Sequence, residues 1–422
     1  MARPVFPMRP IAAFIFAFFL AVPAFSALPA PHAPDVREHV ILDSRDPKSG
    51  RPTTYIAFLG DYGLTRKQYE AMDGQSRHDL KALLAYLHRK GDIIVNFEFL
   101  PPASDIFSVD FLAASGVAGA IVSNNHACDA GAQGLAEGAR QLSLRRVQPF
   151  GTLRAPYLDL ARNGSKYAVY ALTEALDFDC AGVNTARARD HKAQVRALAR
   201  SRTVILYAHD PGPSFYVTDY EDRTALRYID MGAKVVIIDG SHNMKGARQH
   251  GGALSIFGLG NFLLTYRDSE EFLSVAAVVG FDREKPVYLG IIPFYDKRGA
   301  VFRLLHGKEA DAAAGLYRER GLPAGERAYR DASTVRLVRA SLIDLLHGRN
   351  IERLKWKHLS IFASFVYHNY FWPCCALGVL LAASAFQAGR LIRKTVVRRR
   401  SRTAEIEAVA STGKQGRTSR CR

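Results

Sequence analysis

The stretch Gly116–Gly131, GVAGAIVSNNHACDAG, holds the strongest fold signal in this chain. It begins with a short apolar run and ends in two amides, an imidazole and a carboxylate. A short continuous apolar run is typical of a strand buried on both faces, as in a parallel sheet. Ligand-capable side chains directly after such a strand indicate a site at its carboxyl end.

Five other apolar runs end in polar residues in the same way. Each run is short and rich in Val, Ile or Leu, which again favours buried strands. Their polar ends contain Asp61, Asn96, Glu98, His209, His242 and Asn261. Because ligands collect at the carboxyl ends of strands in open α/β sheets, we expect these side chains to share one site with Asn124, Asn125 and His126.

Helical patterns separate these runs. Residues 76–91 form the clearest one, with Ser76 as the predicted N-cap and Gly91 as the glycine that ends the helix. Similar patterns cover residues 131–146 and 219–233. Alternating strands and helices predict a layered α/β fold.

Composition narrows the functional classes. The chain has 422 residues, 48% of them hydrophobic, which is enough for one large domain or two ordinary ones. Its net charge is +17, yet eleven basic and only two acidic residues follow residue 389, so about half of the excess lies there. No zinc-finger spacing or basic groove with interleaved aromatics is present, so nucleic acid is not an expected partner.

The N-terminus resembles a secretory leader. Residues 1–26 combine Arg3 and Arg9, an apolar run, and small residues at Ala24 and Ser26, as at a cleavage site. The alternative is an uncleaved anchor, because the run is only slightly short for a membrane span.

A second apolar segment, residues 367–389, has the length of one transmembrane helix. Aromatic residues lie at its start, and the basic tail 390–422 follows it, which places that end in the cytoplasm. A charged helical connector, residues 321–357, leads to it from a main domain over residues 40–320. We therefore expect a single-pass protein of the bacterial inner membrane, with its main domain in the periplasm and its C-terminus in the cytoplasm.

The chain has five cysteines and no CxxC spacing, so a cysteine zinc site is not expected. Cys128 and Cys180 could pair if the main domain is extracytoplasmic, but free buried thiols are common, and the sequence, which gives no geometry, favours them.

Carboxylate, amide and imidazole groups together suit a divalent metal such as Mn, Zn, Fe or Mg. Such an ion acidifies water and neutralises a phosphoryl oxygen. The predicted ligands are Asp61, Glu98, Asn125, His209 and His242.

The other polar residues have supporting or catalytic roles in this interpretation. His126 is the predicted general acid toward a leaving group. Asp129 either orients His126 or caps the following helix, and the cap is favoured. Asn96, Asn124 and Asn261 are predicted to support the loops rather than to bind.

The order GD, NFE, SNNHACDAG, AHDPG, DGSHNM and GLGNF resembles the capsule-synthesis, poly-gamma-glutamate-synthesis (CapA/PgsA-type) proteins. That family shows GD, NLE, NNHxxDxG, HWG, G(S/H)HPH and SLGNF in this order, and the match covers roughly residues 53–266. The resemblance implies a sandwich similar to the calcineurin-like metallophosphoesterases, with central β-sheets flanked by helices. It also implies metal-ligand roles for Asp61, Glu98, Asn125, His209 and His242, and a catalytic role for His126.

Two departures from the family pattern affect the metal prediction. Met244 stands where the family has its second HPH histidine, and Gly63 stands where metallophosphoesterases have the histidine of Asp-x-His. At most one well-bound metal is therefore expected, or two with one weakly bound. His250 is a candidate to replace the missing imidazole.

Two functional classes follow. The first is a metal-dependent hydrolase acting on a phosphoester or an anionic envelope polymer such as poly-gamma-glutamate. The second is a non-catalytic subunit that binds such a polymer within a synthase or export complex. Met244 favours the second class, and the retained imidazoles and amides favour the first.

Overall fold

The computed structural model describes residues 36–45, 52–98, 106–175, 180–187, 190–212, 216–264, 272–297 and 299–322. The chain divides into two compact units, Met1–Ser333 and Thr334–Arg422, and all described residues belong to the first. The predicted leader, membrane span and basic tail lie outside the described residues, as does the connector from residue 323 onward. No described helix has the length and apolar character of a membrane span.

The described part of the chain alternates strands and helices. The strands are β1 (His39–Asp43), β2 (Thr54–Tyr62), β3 (Asp92–Phe97), β4 (Val117–Ile121), β5 (Gln148–Phe150), β6 (Tyr157–Arg162), β7 (Ser165–Thr173), β8 (Thr203–His209), β9 (Ala233–Asp239), β10 (Met244–His250), β11 (Ala253–Leu259), β12 (Asn261–Phe262), β13 (Leu273–Asp282), β14 (Lys285–Lys297) and β15 (Val301–Leu304). The helices are α1 (Arg66–Ala71), α2 (Gly74–Lys90), α3 (Phe107–Ala114), α4 (Gly131–Leu144), α5 (His191–Leu198), α6 (Asp219–Asp230) and α7 (Gly307–Arg320).

The strands form two sheets. The first has nine strands, in the order β1-β14-β13-β2-β3-β4-β5, with β12 beside β2 and β15 beside β14. The second has six, in the order β10-β11-β9-β8-β7-β6. In each sheet the central strands are parallel, β2 to β5 in the first and β7, β8, β9 and β11 in the second. All six residues of β3 and all seven of β8 are buried, as expected for strands covered on both faces.

An apolar layer lies between the two sheets. Ile56, Phe58 and Ile94 from the first sheet pack there with Ile205 and Val235 from the second. Helices cover the outer faces: α2, α3 and α4 bury their apolar sides on the first sheet, and α5 and α6 bury theirs on the second. The result is four layers in the order helix, sheet, sheet, helix, which confirms the predicted layered α/β fold with flanking helices.

Helix α2 shows how sequence pattern becomes packing and where the prediction was wrong. Its Leu80, Leu83, Leu84 and Leu87 are buried, the spacing of one apolar helix face. The helix begins earlier than predicted: the Asp73 side chain accepts from the Ser76 backbone N–H at 2.6 Å, so Asp73 is the N-cap. The prediction of Ser76 as N-cap was therefore wrong, because Gly74 and Gln75 continue the helix.

Candidate functional site

Polar side chains from both sheets converge at the carboxyl ends of the parallel strands. Asp61 lies near the end of β2, Glu98 directly follows β3, and Asn125 lies in the loop after β4. His209 is the last residue of β8, and His242 lies in the loop after β9. Each sheet therefore supplies part of the site, and the apolar layer holds the two parts face to face.

Three of these side chains form a compact group of possible metal ligands. One atom each from Asp61, Glu98 and His242 lies within 4.8 Å of the others. His242 Nδ1 is 3.0 Å from Asp61 Oδ2 and 3.9 Å from Glu98 Oε2. Burial alone would raise the pKa of Asp61, but the hydrogen bond and charge of His242 lower it below its ordinary value.

Glu98 is the most unusual group in the site. It is fully buried, and within the described part of the chain neither carboxylate oxygen has a hydrogen-bond partner. Burial, followed by the charge of Asp61, raises the pKa of Glu98 well above its ordinary value. A buried polar group without a partner is costly, and a cation between Glu98 and Asp61 would satisfy both carboxylates.

His209 and Asn125 border the same space. His209 is completely buried, and its Nε2 lies 2.7 Å from Asn125 Oδ1 and 3.9 Å from Glu98 Oε1. Burial lowers the pKa of His209 to about 4, so its ring is neutral at pH 7. A neutral imidazole and an amide oxygen are in the state that metal binding requires.

The side-chain amides of Asn96 and Asn124 are hydrogen-bonded to these groups and to each other. Asn96 Nδ2 donates to Asp61 Oδ1 at 2.6 Å and lies 3.1 Å from His209 Nδ1. Asn124 Nδ2 donates to Asn96 Oδ1 at 3.2 Å, and Asn124 Oδ1 accepts the backbone N–H of His126 at 3.1 Å. Both asparagines are completely buried. The two amides thus connect the loop after β4 with the carboxylate at the end of β2.

His126 and Asp129 form a second pair at the edge of the site. His126 Nδ1 lies 2.8 Å from Asp129 Oδ2, and His126 Nε2 lies 3.8 Å from Glu98 Oε1. Helix α4 begins at Gly131 with Ala130 as N-cap and has no side-chain capping bond. The preference for Asp129 as a helix cap was therefore wrong, because its carboxylate contacts the imidazole instead.

The loop that carries His242 is tightly shaped. His242 has a left-handed backbone (φ 59°), and its Nδ1 lies 2.9 Å from Asn261 Oδ1. Burial would lower the pKa of His242, but Glu98 and Asp61 raise it to about 10, so the ring is protonated in the metal-free protein and releases a proton when it binds a metal. Gly240 has φ 108°, and a Cβ there would lie 2.6 Å from the ring of His209. Glycine is therefore required where this loop passes the imidazole.

The structure shows where Met244 and His250 lie relative to the site. Met244 is completely buried in the apolar layer between the sheets, opposite Leu259 in the β10–β11 pair. His250 lies at the other end of β10, with its Nε2 3.7 Å from Asp222 Oδ1. The suggestion that His250 replaces the missing imidazole was wrong, because β10 carries it away from the site.

Asp239 is a site residue that the sequence analysis missed. This last residue of β9 is buried; it accepts from Tyr207 Oη at 3.0 Å and from the backbone N–H of Leu259 at 3.0 Å. Burial, followed by the charge of Asp61, raises the pKa of Asp239 to about 7. Its place at the end of an apolar run was the available signal.

The structure resolves the open question about the cysteines. Cys128 and Cys180 form a disulfide with a Cα–Cα distance of 6.0 Å. Cys128 lies between His126 and Asp129, so the bond joins the loop of that pair to the segment that follows Cys180.

Together these groups fit a divalent cation. Two buried carboxylates, two imidazoles and an amide oxygen form an oxygen-and-nitrogen donor set of the kind that Mn, Zn, Fe or Mg binds. The two unpartnered oxygens of Glu98 are the structural observation that favours a cation over a purely structural polar cluster.

Comparison with solved structures gives distant likenesses. A hypothetical protein from Thermus thermophilus has 16% identity and a TM-score of 0.40, covering 58% of this chain and 100% of that one. A putative 5′-nucleotidase from Staphylococcus aureus has 14% identity and a TM-score of 0.40, covering 62% of this chain and 58% of that one. A phosphatase from Mycoplasma pneumoniae has 16% identity and a TM-score of 0.38, covering 59% and 97%. Likeness at this level says nothing about activity.

Sequence comparison is more specific. The search of curated proteins found no match. The model of the family described as bacterial capsule synthesis protein PGA_cap matches residues 55–266, half of the chain. The matched region begins in β2 and ends after β12, so it contains every predicted ligand. The chain belongs to this family of bacterial capsule synthesis proteins.

Proposed function

We propose that this protein is a metal-dependent, phosphoesterase-like hydrolase of capsule or envelope polymer synthesis. The observation that carries the proposal is the pair of buried, unpartnered oxygens of Glu98, which face Asp61 and His242. A family scaffold without metal has no physical need to keep such a group in its interior.

The proposed ligands are Asp61, Glu98, Asn125, His209 and His242. All are buried or half-buried, and both sheets contribute to them. One ion is proposed rather than two, since Gly63 and Met244 offer no imidazole for a second position.

When bound, a divalent metal supplies a Lewis acid that polarises a phosphoryl oxygen and acidifies water. The chain's own residues do the rest. Asp129 accepts from His126 Nδ1, which fixes the ring and directs Nε2 toward Glu98 and the site. From there a protonated His126 Nε2 can donate to the oxygen of a leaving group. Burial of Asp61 and Glu98 keeps water from screening their charges.

A second candidate function is a non-catalytic subunit that binds an anionic polymer such as poly-gamma-glutamate within a synthase or export complex. The apolar packing of Met244 favours it, because an apolar core side chain stands where a second metal would need an imidazole ligand. In that case the remaining metal would bind polymer carboxylates instead of activating water.

The proposed location is the bacterial inner membrane, with the main domain outside it and residues 367–389 as the anchor. The disulfide supports an oxidising compartment, where such bonds persist. The proposed substrate is a phosphoester or an anionic envelope polymer, because the site would offer a cation to an anionic group.

Metal content of the purified full-length protein tests the proposal. We expect about one Mn or Zn per chain, lost in His242→Ala and retained in His306→Ala, which alters an exposed histidine. The same samples are assayed for cleavage of a chromogenic phosphodiester. Metal with cleavage that disappears in His126→Ala supports the hydrolase, and metal without cleavage supports the polymer-binding subunit. A folded wild type that takes up no metal after reconstitution overturns both.

A further inference from the structure

The disulfide lies beside the first sheet, next to a segment that also pairs with the second sheet. Cys128 belongs to the loop after β4 of the first sheet, three residues after Asn125 and two after His126. Cys180 begins the segment Cys180–Arg187, which lies between β7 and α5 of the second sheet's side. The bond therefore joins a loop of the first sheet to a segment that pairs with both the loop after β5 and β7.

The Cys180 segment is hydrogen-bonded to both sides of the fold. On the first sheet's side, Gly182 O accepts from the Leu153 N–H at 2.8 Å, in the loop after β5. On the second sheet's side it bonds to β7. Asn184 O accepts the backbone N–H of Thr173 at 3.0 Å, and Asn184 Nδ2 donates to Ala171 O at 2.7 Å. The Ala186 N–H donates to Thr173 O at 2.9 Å. Thr173 is the neighbour of His209 in the β7–β8 pair. The segment is thus fixed to the strand that lies beside the site imidazole.

Beyond Val122, the loop after β4 is held through side-chain hydrogen bonds of Asn124 to Asn96 and to Phe97 O rather than by strand pairing. Residues 122–130 contain no helix or strand, and the turn bond from the Ala127 N–H to Asn124 O is long, at 3.4 Å. Its contact with the second sheet within the site is the 2.7 Å approach of Asn125 Oδ1 to His209 Nε2. That contact requires a fixed distance between the loop and the end of β8.

We propose that the Cys128–Cys180 disulfide is a positioning device that holds Asn125 and His126 against the second sheet. The inference rests on the proposed metal site. The covalent bond replaces the ordered secondary structure that the loop lacks, and it keeps the amide of Asn125 next to His209. Outer contacts of this kind change metal affinity by about 10- to 100-fold when lost.

The test uses the full-length protein with Cys128→Ala, Cys180→Ala and the double variant. Leu198→Ala is the matched control, because it removes a buried side chain of α5 that packs on the outer face of the second sheet. Mn²⁺ affinity is titrated under conditions where every variant is folded. Amide hydrogen exchange is measured on the metal-free proteins over residues 122–131.

We expect each single cysteine variant to bind Mn²⁺ at least about tenfold more weakly than the wild type. The double variant should lose no more than either single one, since breaking the bond once removes its whole effect. Exchange over residues 122–131 should be faster in all three and unchanged in Leu198→Ala.

Equal Mn²⁺ affinity and equal exchange in the wild type and the cysteine variants would overturn the inference while leaving the metal site intact. Additive losses would also overturn it, because they would assign the effect to the individual side chains. A wild type that binds no Mn²⁺ would refute the proposed function instead. The exchange rates of the metal-free proteins would then still decide whether the bond orders the loop.

Discussion

Glu98 is the residue at which stability and function oppose each other. Its carboxylate is buried without a hydrogen-bond partner in the described part of the chain, and the neighbouring Asp61 is also buried. A group of this kind destabilises the metal-free fold and is useful only when a cation is present.

Glu98→Gln should therefore have opposite effects on the two properties. The variant should lose most of its metal affinity, since a charged ligand becomes a neutral amide. Its metal-free form should be more stable than the metal-free wild type at neutral pH by about 1–3 kcal/mol, because burial and the charge of Asp61 penalise the carboxylate and the amide carries no charge. Urea unfolding in the presence of a chelator measures the difference, and a less stable variant would contradict this account of the site.

The residue scale is also where the sequence was least informative. The sequence alone did not show whether Asp129 caps helix α4 or contacts His126. A carboxylate just before the helix and three residues after His126 can do either. Asp239 was missed, because its partners Tyr207 and Leu259 lie on the neighbouring strands β8 and β11 but are far from it along the chain. Pairing of Cys128 with Cys180 depends on a distance that spacing along the chain does not give.

Among the elements, β10 and α6 are joined by a buried ion pair. Lys245 is completely buried and donates to Glu221, whose carboxylate also accepts from the Thr218 N–H at 2.8 Å. The strand that leaves the site loop is thereby tied to the helix that covers the second sheet.

Lys245→Met should destabilise the protein by about 3–5 kcal/mol, because it leaves a buried carboxylate without its cation. Adding Glu221→Gln should restore part of this loss. Chemical denaturation of the two single variants and the double variant gives the coupling, and strictly additive effects would show that the pair does not interact.

A second element-level prediction concerns Asp296, near the end of β14. It accepts from the backbone N–H of Gly299 at 2.8 Å and from that of Leu263, and burial raises its pKa to about 7. A raised pKa in the folded state means that stability is greatest below the unfolded pKa and is lost as pH rises through about 7. The wild type should lose roughly 2–3 kcal/mol relative to Asp296→Asn between about pH 5 and pH 8. Parallel curves of unfolding free energy against pH for the two proteins would refute it.

The elements themselves were largely readable from the sequence. The six apolar runs became β2, β3, β4, β8, β9 and β11, because strands buried on both faces need continuous Val, Ile and Leu. Short or amphipathic strands such as β5, β6 and β15 carry too little pattern to be recognised. The order of strands in the two sheets depends on crossovers that no local pattern encodes.

At the scale of the whole molecule, metal and stability should be linked. An ion that binds only the folded protein stabilises it by about 2.7 kcal/mol at a concentration of 100 Kd. For a domain of this size, that corresponds to a rise in Tm of roughly 4–5 °C. Thermal unfolding with Mn²⁺ and with a chelator should show this shift in the wild type and not in His242→Ala. Equal shifts in both proteins would place the stabilising ion elsewhere.

The apolar layer between the sheets has a consequence for how this protein can diverge. Ligands come from both sheets, so the thickness of the layer between them sets the distance between the ligands of one sheet and those of the other. Residues such as Ile56, Phe58 and Ile205 fill this layer. Exchanging one aliphatic side chain there for a larger or smaller one would widen or narrow the gap between the carboxylates and the imidazoles. Ion preference can thus drift through changes in packing, far from any ligand and with every ligand retained.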